Sequence, residues 1–401
     1  NNPFDSCNNQ CEAVYAQNLV VSDFHLCGLC GEGRVCCQGK NTNGQLGQGN
    51  REESVAPVRV PNLQHVVEVV SGAQHTCART RIGRVACWGA NAFGQVGNGS
   101  DDGSDRPSWV VTEGNQILSG AVRIFAGDHT TCAVKHNDSV FCWGDNRKAQ
   151  ISATADAPEY MTIGTQVVSI EGSVEIAIGA YHVCRLNQEG EVACWGDVDQ
   201  GAIGSSPNPN HCPGVEQNYN YCIGTPIDVS FPGDATAHTV DSGTGFSCAV
   251  VGPERKVYCW GSNASDGRLG HGDPDRSSTP TAVESNNGDL TGILRLALGP
   301  AQACALRNNG TAMCWGNNDG GRLPIARNNR QPWVPQPLLR ESNQPNETPP
   351  LEGINRLDLG MHSGCARSSS EPAGLYCFGK IYNGNEFERY DRATRLSFGD
   401  D

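Results

Sequence analysis

Hydrophobic positions along the chain fall in short β-rich runs, with no helical periodicity between them. Residues 66–78, VVEVVSGAQHTCA, and residues 83–89, GRVACWG, are two such runs joined by a tight turn. Runs of β-branched and apolar residues bounded by Gly and Asn mark strands and turns, so the pair reads as an antiparallel hairpin. A glycine-rich turn follows, Gly94-Gln95-Val96-Gly97, as Asn43-Gly44-Gln45-Leu46-Gly47 does one unit earlier, where the strand APVRV at 56–60 comes next. Each unit therefore predicts about four strands.

The unit recurs seven times. Aligned on its first cysteine it contains the pairs Cys27/Cys37, Cys77/Cys87, Cys132/Cys142, Cys184/Cys194, Cys248/Cys259, Cys304/Cys314 and Cys365/Cys377. Five residues before the first cysteine stands Gly72, Gly127, Gly179, Gly243, Gly299 or Gly360, with Ser22 in the first unit. Two residues after the second cysteine stands a glycine in every unit, preceded by Trp88, Trp143, Trp195, Trp260 or Trp315 and, at the ends, by Gln38 or Phe378. Four-stranded units repeated seven times predict an all-β, seven-bladed propeller, whose radial closure also hides sheet edges. The propeller is expected to occupy 13–401, with loop insertions at 197–240 and at the Pro- and Asn-rich 317–350. Closure is expected to lay the last strand, RATRLSF at 392–398, against the first unit.

The string G-x-x-H-T-C-A…G-x-V-x-C-W-G-x-N-x-x-G-Q-x-G resembles the repeat of the regulator-of-chromosome-condensation family, over essentially residues 13–401. The resemblance implies a seven-bladed propeller and leaves activity open, because the family includes a nuclear guanine-nucleotide exchange factor, a plant UV-B photoreceptor and a secreted bacterial inhibitor of β-lactamases. A nuclear exchange factor would work in a reducing compartment, and the photoreceptor would need a cluster of exposed tryptophans, whereas here the tryptophans recur singly at one repeat position. Cysteine-bearing versions of the repeat resemble extracellular proteins.

Cysteine content supports that last reading. Twenty cysteines in 401 residues is an even and very high count, which in an oxidising compartment means a disulfide framework. Facing residues of an antiparallel hairpin lie roughly 4.5–5.5 Å apart at Cα, within disulfide range, so all seven repeat pairs are expected to be bonded within their units. Each such loop of about ten residues stabilises the fold by roughly 2–3 kcal/mol. Cys212 and Cys222 are expected to staple the fourth-unit insertion to itself. Cys7 and Cys11, in an N-terminal segment at 1–12, are expected to be clamped to Cys30 and Cys36 in an unknown order. The rival, a zinc ribbon built from Cys27, Cys30, Cys36 and Cys37, is broken by the repeat assignment of Cys27 to Cys37.

The net charge of −14 without a basic cluster argues against nucleic acid. No apolar run approaches the roughly 20 residues that cross a bilayer. A chain beginning NNPFDSC without Met reads as a mature, cleaved form. His25, His75 and His182, like His129 and His362 one residue earlier in their repeats, read as repeat-structural residues rather than a metal ring, since Phe246 and Gln302 replace the former elsewhere. The CWG tryptophans read as inter-blade packing. No cofactor is implied: the acidic turns at 98–105 and 271–278 offer oxygens of the kind calcium takes but match no known loop spacing. No catalytic motif is present by spacing, so no enzyme is expected. Candidate N-glycosylation acceptors are Asn98, Asn137, Asn263, Asn309 and Asn346.

These readings converge on a secreted, non-enzymatic scaffold that presents irregular loops on a rigid disc. It is expected to serve as a structural or adhesive component of an extracellular surface or fibre, joined through a protein partner, self-assembly or glycans; the alternative is a soluble inhibitor or receptor-like binder of one protein, with a polysaccharide-active enzyme as the third reading. Alkylation without reductant should leave the intact mass unchanged, and several alkylated cysteines would overturn the disulfide framework.

Overall fold

In a computed structural model the described residues are 18–395, apart from 155, 206–209, 212–220, 286–287, 320, 326–331, 342–347, 371 and 383–386. Seven antiparallel sheets follow one another along the chain, at about 19–59, 66–109, 121–166, 173–228, 237–282, 293–337 and 354–395, and together they form a seven-bladed propeller. In each blade strand order equals chain order from the axis outward; the exception is blade 4, whose insertion adds the two-residue strand Asn210–His211 outside Tyr221–Asp228. Among the described residues no helix is long and apolar enough to cross a membrane.

Ring closure differs from the strand exchange expected from sequence. The last strand, Phe387–Arg395, pairs with Gly374–Tyr382 of its own blade. Blade 1 already has four strands of its own between Leu19 and Arg59, so its sheet has no vacancy for a strand from the other end of the chain. The ends meet face to face instead, with the backbone N–H of Val21 donating to the Asp358 carboxylate at 2.6 Å. Similar clamps join inner strands elsewhere: Asn18 Oδ1 accepts from Val69 N–H at 3.2 Å, Glu175 from Val240 N–H at 3.2 Å and Asp241 from Leu298 N–H at 2.9 Å.

The recurring glycine five residues before each first cysteine has a steric cause. A Cβ on Gly72 would strike the Gly127 carbonyl, one on Gly179 the Gly243 carbonyl, one on Gly243 the Gly299 carbonyl and one on Gly360 the Ser22 carbonyl. Inner turns of adjacent blades thus approach backbone to backbone around the axis, an approach that a residue without a Cβ meets most easily. Ser22 fits where the others do not because its hydroxyl reaches the Gly72 carbonyl and donates to it.

Between blades, large side chains fill the wedge that widens away from the axis. Trp88 of blade 2 is fully buried with Leu46, Val60 and Leu63 of the preceding blade and its outgoing loop. Its indole N–H donates at 2.9 Å to the carbonyl of Gln45, in the glycine-rich turn of that blade. The same bond, at the same length, runs from Trp143 to Gln95, Trp195 to Gln150, Trp260 to Ala202 and Trp315 to Arg268. The inter-blade packing expected of the CWG tryptophans is therefore directional as well as apolar.

Cysteines stand directly opposite one another in the seven ladders between second and third strands. In blades 1 to 4 the bonded pairs are Cys27 with Cys37, Cys77 with Cys87, Cys132 with Cys142 and Cys184 with Cys194. In blades 5 to 7 they are Cys248 with Cys259, Cys304 with Cys314 and Cys365 with Cys377. Each pair has its Cα atoms 4.1 Å apart, closer than the spacing expected from sequence. The register explains the shortening. In blade 2 Thr80 N–H bonds Arg84 O, and three residues along the ladder Cys77 and Cys87 fall at a position that exchanges no backbone bonds. Facing residues approach most closely at such positions.

One pairing is corrected: Cys30 and Cys36 are bonded to each other, at a Cα separation of 5.7 Å, and so do not hold Cys7 and Cys11. They sit diagonally across the tight turn at 31–34, close enough to bridge without being in register. Cys222 is disulfide-bonded; Cys212, Cys7 and Cys11 lie outside the described residues.

Gly360→Ala should destabilise the protein by about 1–3 kcal/mol, because the added methyl must force blades 7 and 1 apart. Ser22→Ala, which removes only a hydrogen bond, should cost about 0.5–1.5 kcal/mol. Urea midpoints of the two variants check the order; an unchanged midpoint for Gly360→Ala would contradict the backbone-contact ring.

Candidate interaction face and central channel

Alternating strand direction sorts the loops onto two faces. One face carries the hairpin tips between second and third strands and the loops that lead into the next blade. The other carries the inner turns of the GAQH type and the glycine-rich turns, held together by bonds such as Lys40 N–H to Phe24 O at 2.9 Å and Ala90 N–H to Gln74 O at 2.9 Å. This second face includes a grouping of aromatic and charged side chains around Arg147.

In blades 1, 2, 3 and 5 the turn between the third and fourth strands is shaped by a buried asparagine two residues after the glycine of C-x-G. Asn41 Oδ1 accepts from Leu46 N–H while its amide donates to the carbonyls of Asn50 and Glu52. Asn91 and Asn146 repeat the arrangement, and Asn263 accepts from Leu269 N–H and donates to Asp273 O at 2.6 Å. The sequence signal was available as the recurring N of C-W-G-x-N, but its role needs the turn geometry. This geometry corrects one candidate acceptor: Asn263 is fully buried with its amide engaged, so it is a turn-organising residue and not a glycan site. Asn137 and Asn309 are exposed at hairpin tips, and Asn98 is half-buried beside the blade 2 turn. Asn346 lies outside the described residues.

With the turns fixed, neighbouring side chains converge. The Arg147 guanidinium lies 4.2 Å from the Phe93 ring centroid and 5.9 Å from that of Tyr181. Asp145 holds it in a fork, Nε to Oδ1 at 2.9 Å and Nη2 to Oδ2 at 2.7 Å, and that carboxylate is fully buried. The bond to Asp145 raises the already high pKa of Arg147. His129 stacks obliquely on Phe93 at 4.9 Å, and burial lowers its pKa. Tyr181 is 40% exposed, so the stack ends at the surface. Blade 5 repeats the fork without exposing it: Arg268 is buried, bonded to Asp266 at 2.5 Å, and reaches the Thr244 carbonyl.

Inside the ring a channel with a cavity of about 360 Å³ is lined by the innermost strands. Asn18, Glu68, Arg123, Glu175, Thr239, Arg295 and Arg356 occupy one repeat position along it. Burial pushes the carboxyl of Asp241 up to about 7 and that of Asp358 up to about 6, against the backbone N–H groups that bond them. At the mouth nearest the Arg147 stack, burial and the charge of Asp128 raise Asp23 to about 7. Among the described residues no group of three or more His, Cys, Asp or Glu is arranged to hold a metal ion.

The histidines two residues before the first cysteine serve the blade interfaces. His25 Nε2 meets Thr76 Oγ1 at 2.9 Å, His75 meets Thr131 Oγ1 at 2.8 Å and His182 meets Ser247 Oγ at 2.8 Å, each on the next blade. Their Nδ1 atoms are buried without a partner, so a proton there would bury an unpaired charge. Burial accordingly lowers His25 and His75 to about 3 and His182 to about 4. In blade 6 Gln302 does the same work without a titrating group, donating to the Gly360 carbonyl at 2.7 Å.

A family model described as the RCC1-like domain matches residues 3–305. The human E3 ubiquitin-protein ligase HERC2 is 26% identical over 374 residues, which is 90% of this chain and 7% of that protein. The Arabidopsis thaliana ultraviolet-B receptor UVR8 is 26% identical over 274 residues, 68% of this chain and 58% of the receptor. The chain therefore spans a small part of the first of these relatives and just over half of the second. Among solved structures, yeast RCC1 (Prp20) bound to Kap60 superposes with a TM-score of 0.70 at 20% identity, covering 97% of this chain and 86% of that one.

The histidine geometry predicts an acid response. A histidine with a folded-state pKa below its unfolded 6.5 lets the unfolded chain take up the proton first, so stability falls as pH drops from 6.5 towards 4. Raised carboxyls act oppositely, since their contribution is lost as pH rises from 3.8 to about 7. His182→Gln keeps a donor for Ser247 and removes the first effect alone. Urea denaturation should show the variant losing about 2–3 kcal/mol less than the parent between pH 7.5 and 4.5; equal losses would contradict a neutral buried His182.

Proposed function

Because the chain belongs to the RCC1-like domain family, whose propellers commonly act as protein-binding scaffolds, we propose that it is a non-enzymatic protein-binding module of an extracellular or cell-surface setting. The Arg147 stack carries this reading. Arg and Tyr supply much of the binding energy at protein interfaces, and here both are ordered before any partner arrives. Phe93 and Asp145 fix the guanidinium, so docking need not freeze a flexible arginine, while the exposed Tyr181 edge stays available. The disulfides support the compartment, because cross-strand cysteines in every blade are of use where thiols are not held reduced. Incorporation into a surface assembly is the form we propose for the binding, since a stapled disc with an ordered face suits repeated static contact better than regulated release.

Partners isolated with the disulfide-bonded protein and cross-linked should map to the face around Phe93, Arg147 and Tyr181. Arg147→Lys keeps a charge opposite Asp145 but cannot lie flat between two rings. Combined with Tyr181→Ala it should weaken partner binding about tenfold or more, with the urea midpoint nearly unchanged. Cross-links confined to the rim, or undiminished binding by the double variant, would overturn the assignment of this face.

A further inference from the structure

We propose a second binding site on the outer rim of blade 2, which takes an acidic peptide segment through one apolar anchor residue. It lies on the opposite face from the Arg147 stack and does not depend on it.

A groove of about 350 Å³ opens there between the 61–65 loop entering blade 2 and the hairpin tip at 80–84, with the outermost-strand residue Trp109 beside them. Its walls are fixed by backbone bonds, Arg81 N–H to His65 O at 2.8 Å and Ala121 N–H to Gly83 O at 3.0 Å. Its lining is mostly apolar: Leu63 is buried beneath it, Ile82 is 68% exposed and Trp109 is 36% exposed. Trp109 faces Ala86 across the ladder, and the small alanine leaves its indole no large neighbour there. A large apolar side chain from a partner would cover Ile82 and the Trp109 ring together.

Charge identifies the rest of the occupant. The chain carries a net charge of −14, yet Arg81 and Arg84 flank this groove and Arg59 precedes the loop that walls it. Among the described residues neither Arg81 nor Arg84 has an acidic partner, while the nearest acid on the inner strand, Glu68, is taken by Arg79 at 2.7 Å. The Arg84 guanidinium is instead poised over the Trp109 ring, 6.0 Å from its centroid. Two guanidiniums with no acidic partner among the described residues, beside an apolar slot, match carboxylates spaced around an aromatic or aliphatic residue.

The test uses the intact, disulfide-bonded protein and a fluorescein-labelled eight-residue peptide of Asp and Glu with a central Phe. Anisotropy should rise saturably, and added salt should weaken the binding. Replacing Phe by Gly, or the acids by Lys, should lower affinity about tenfold or more. Arg81→Ala/Arg84→Ala and, separately, Ile82→Ser should do the same; these side chains are exposed, so the urea midpoint should hold. Binding should also perturb Trp109 emission, and Tyr181→Ala on the other face should bind normally. No saturable binding, equal binding of the lysine peptide, undiminished binding by the arginine variant, or preferential binding of a short single-stranded DNA would overturn the proposal.

Discussion

Blades 2 to 6 are each attached to the one before by an indole N–H placed against a backbone carbonyl in the turn between that blade's third and fourth strands, and much of the molecule follows from keeping that contact dry. An indole brought into an apolar wedge must find an acceptor, since an unpaired buried N–H costs more than the bond gains. Gln45, Gln95, Gln150, Ala202 and Arg268 supply it through their carbonyls, so side-chain identity there can vary while turn shape cannot. The buried asparagines hold that shape, and glycine at the turn is required where the indole presses close: a Cβ on Gly47 would lie 2.6 Å from Trp88 Nε1. Tryptophan, asparagine and glycine are therefore one device distributed over two blades.

The places where the repeat departs from its own pattern are instructive because the geometry accommodates each differently. Ser22 replaces a glycine and converts a steric contact into a hydrogen bond. Gln302 replaces a histidine and reaches the next blade's backbone rather than its hydroxyl. Phe246 gives up the polar link altogether and is buried in the core between blades 5 and 6, where Arg268 lies 5.8 Å from its ring. Arg147 stands at the turn position that Ala92 holds in blade 2, beside the Lys148-Ala149-Gln150 that replaces the usual glycine-rich sequence, and it is this decayed turn that carries the exposed stack.

A propeller of this kind separates stability from recognition. Disulfides, inner glycines and tryptophan contacts lie between or within blades and leave both faces and the rim free to vary. The Arg147 stack uses one face and the Trp109 groove the other side of the rim, each built from residues that no repeat position demands. The buried carboxyls and histidines along the interfaces add opposing pH dependences to the scaffold, so its stability responds to pH even though the seven repeat disulfides do not.

Sequence alone determined the blade count, the four-stranded unit, the seven repeat cysteine pairs and the packing role of the tryptophans, because all of these recur at fixed spacing and a local hairpin suffices to place them. Ring closure was misread, since pattern shows that a strand exists but not that blade 1 already holds four. The Cys30–Cys36 bond was missed because a diagonal contact across a twisted turn has no signature in register. Asn263 read as a glycan acceptor because its neighbours match a sequon, whereas its burial depends on a turn that closes over it. Neither the stack of Phe93, Arg147 and Tyr181 nor the meeting of Leu63, Ile82 and Trp109 could be seen in the chain. Their members come from different blades or loops, and only the lateral packing of one sheet on the next, or the return of an outer strand to its own hairpin, brings them within contact.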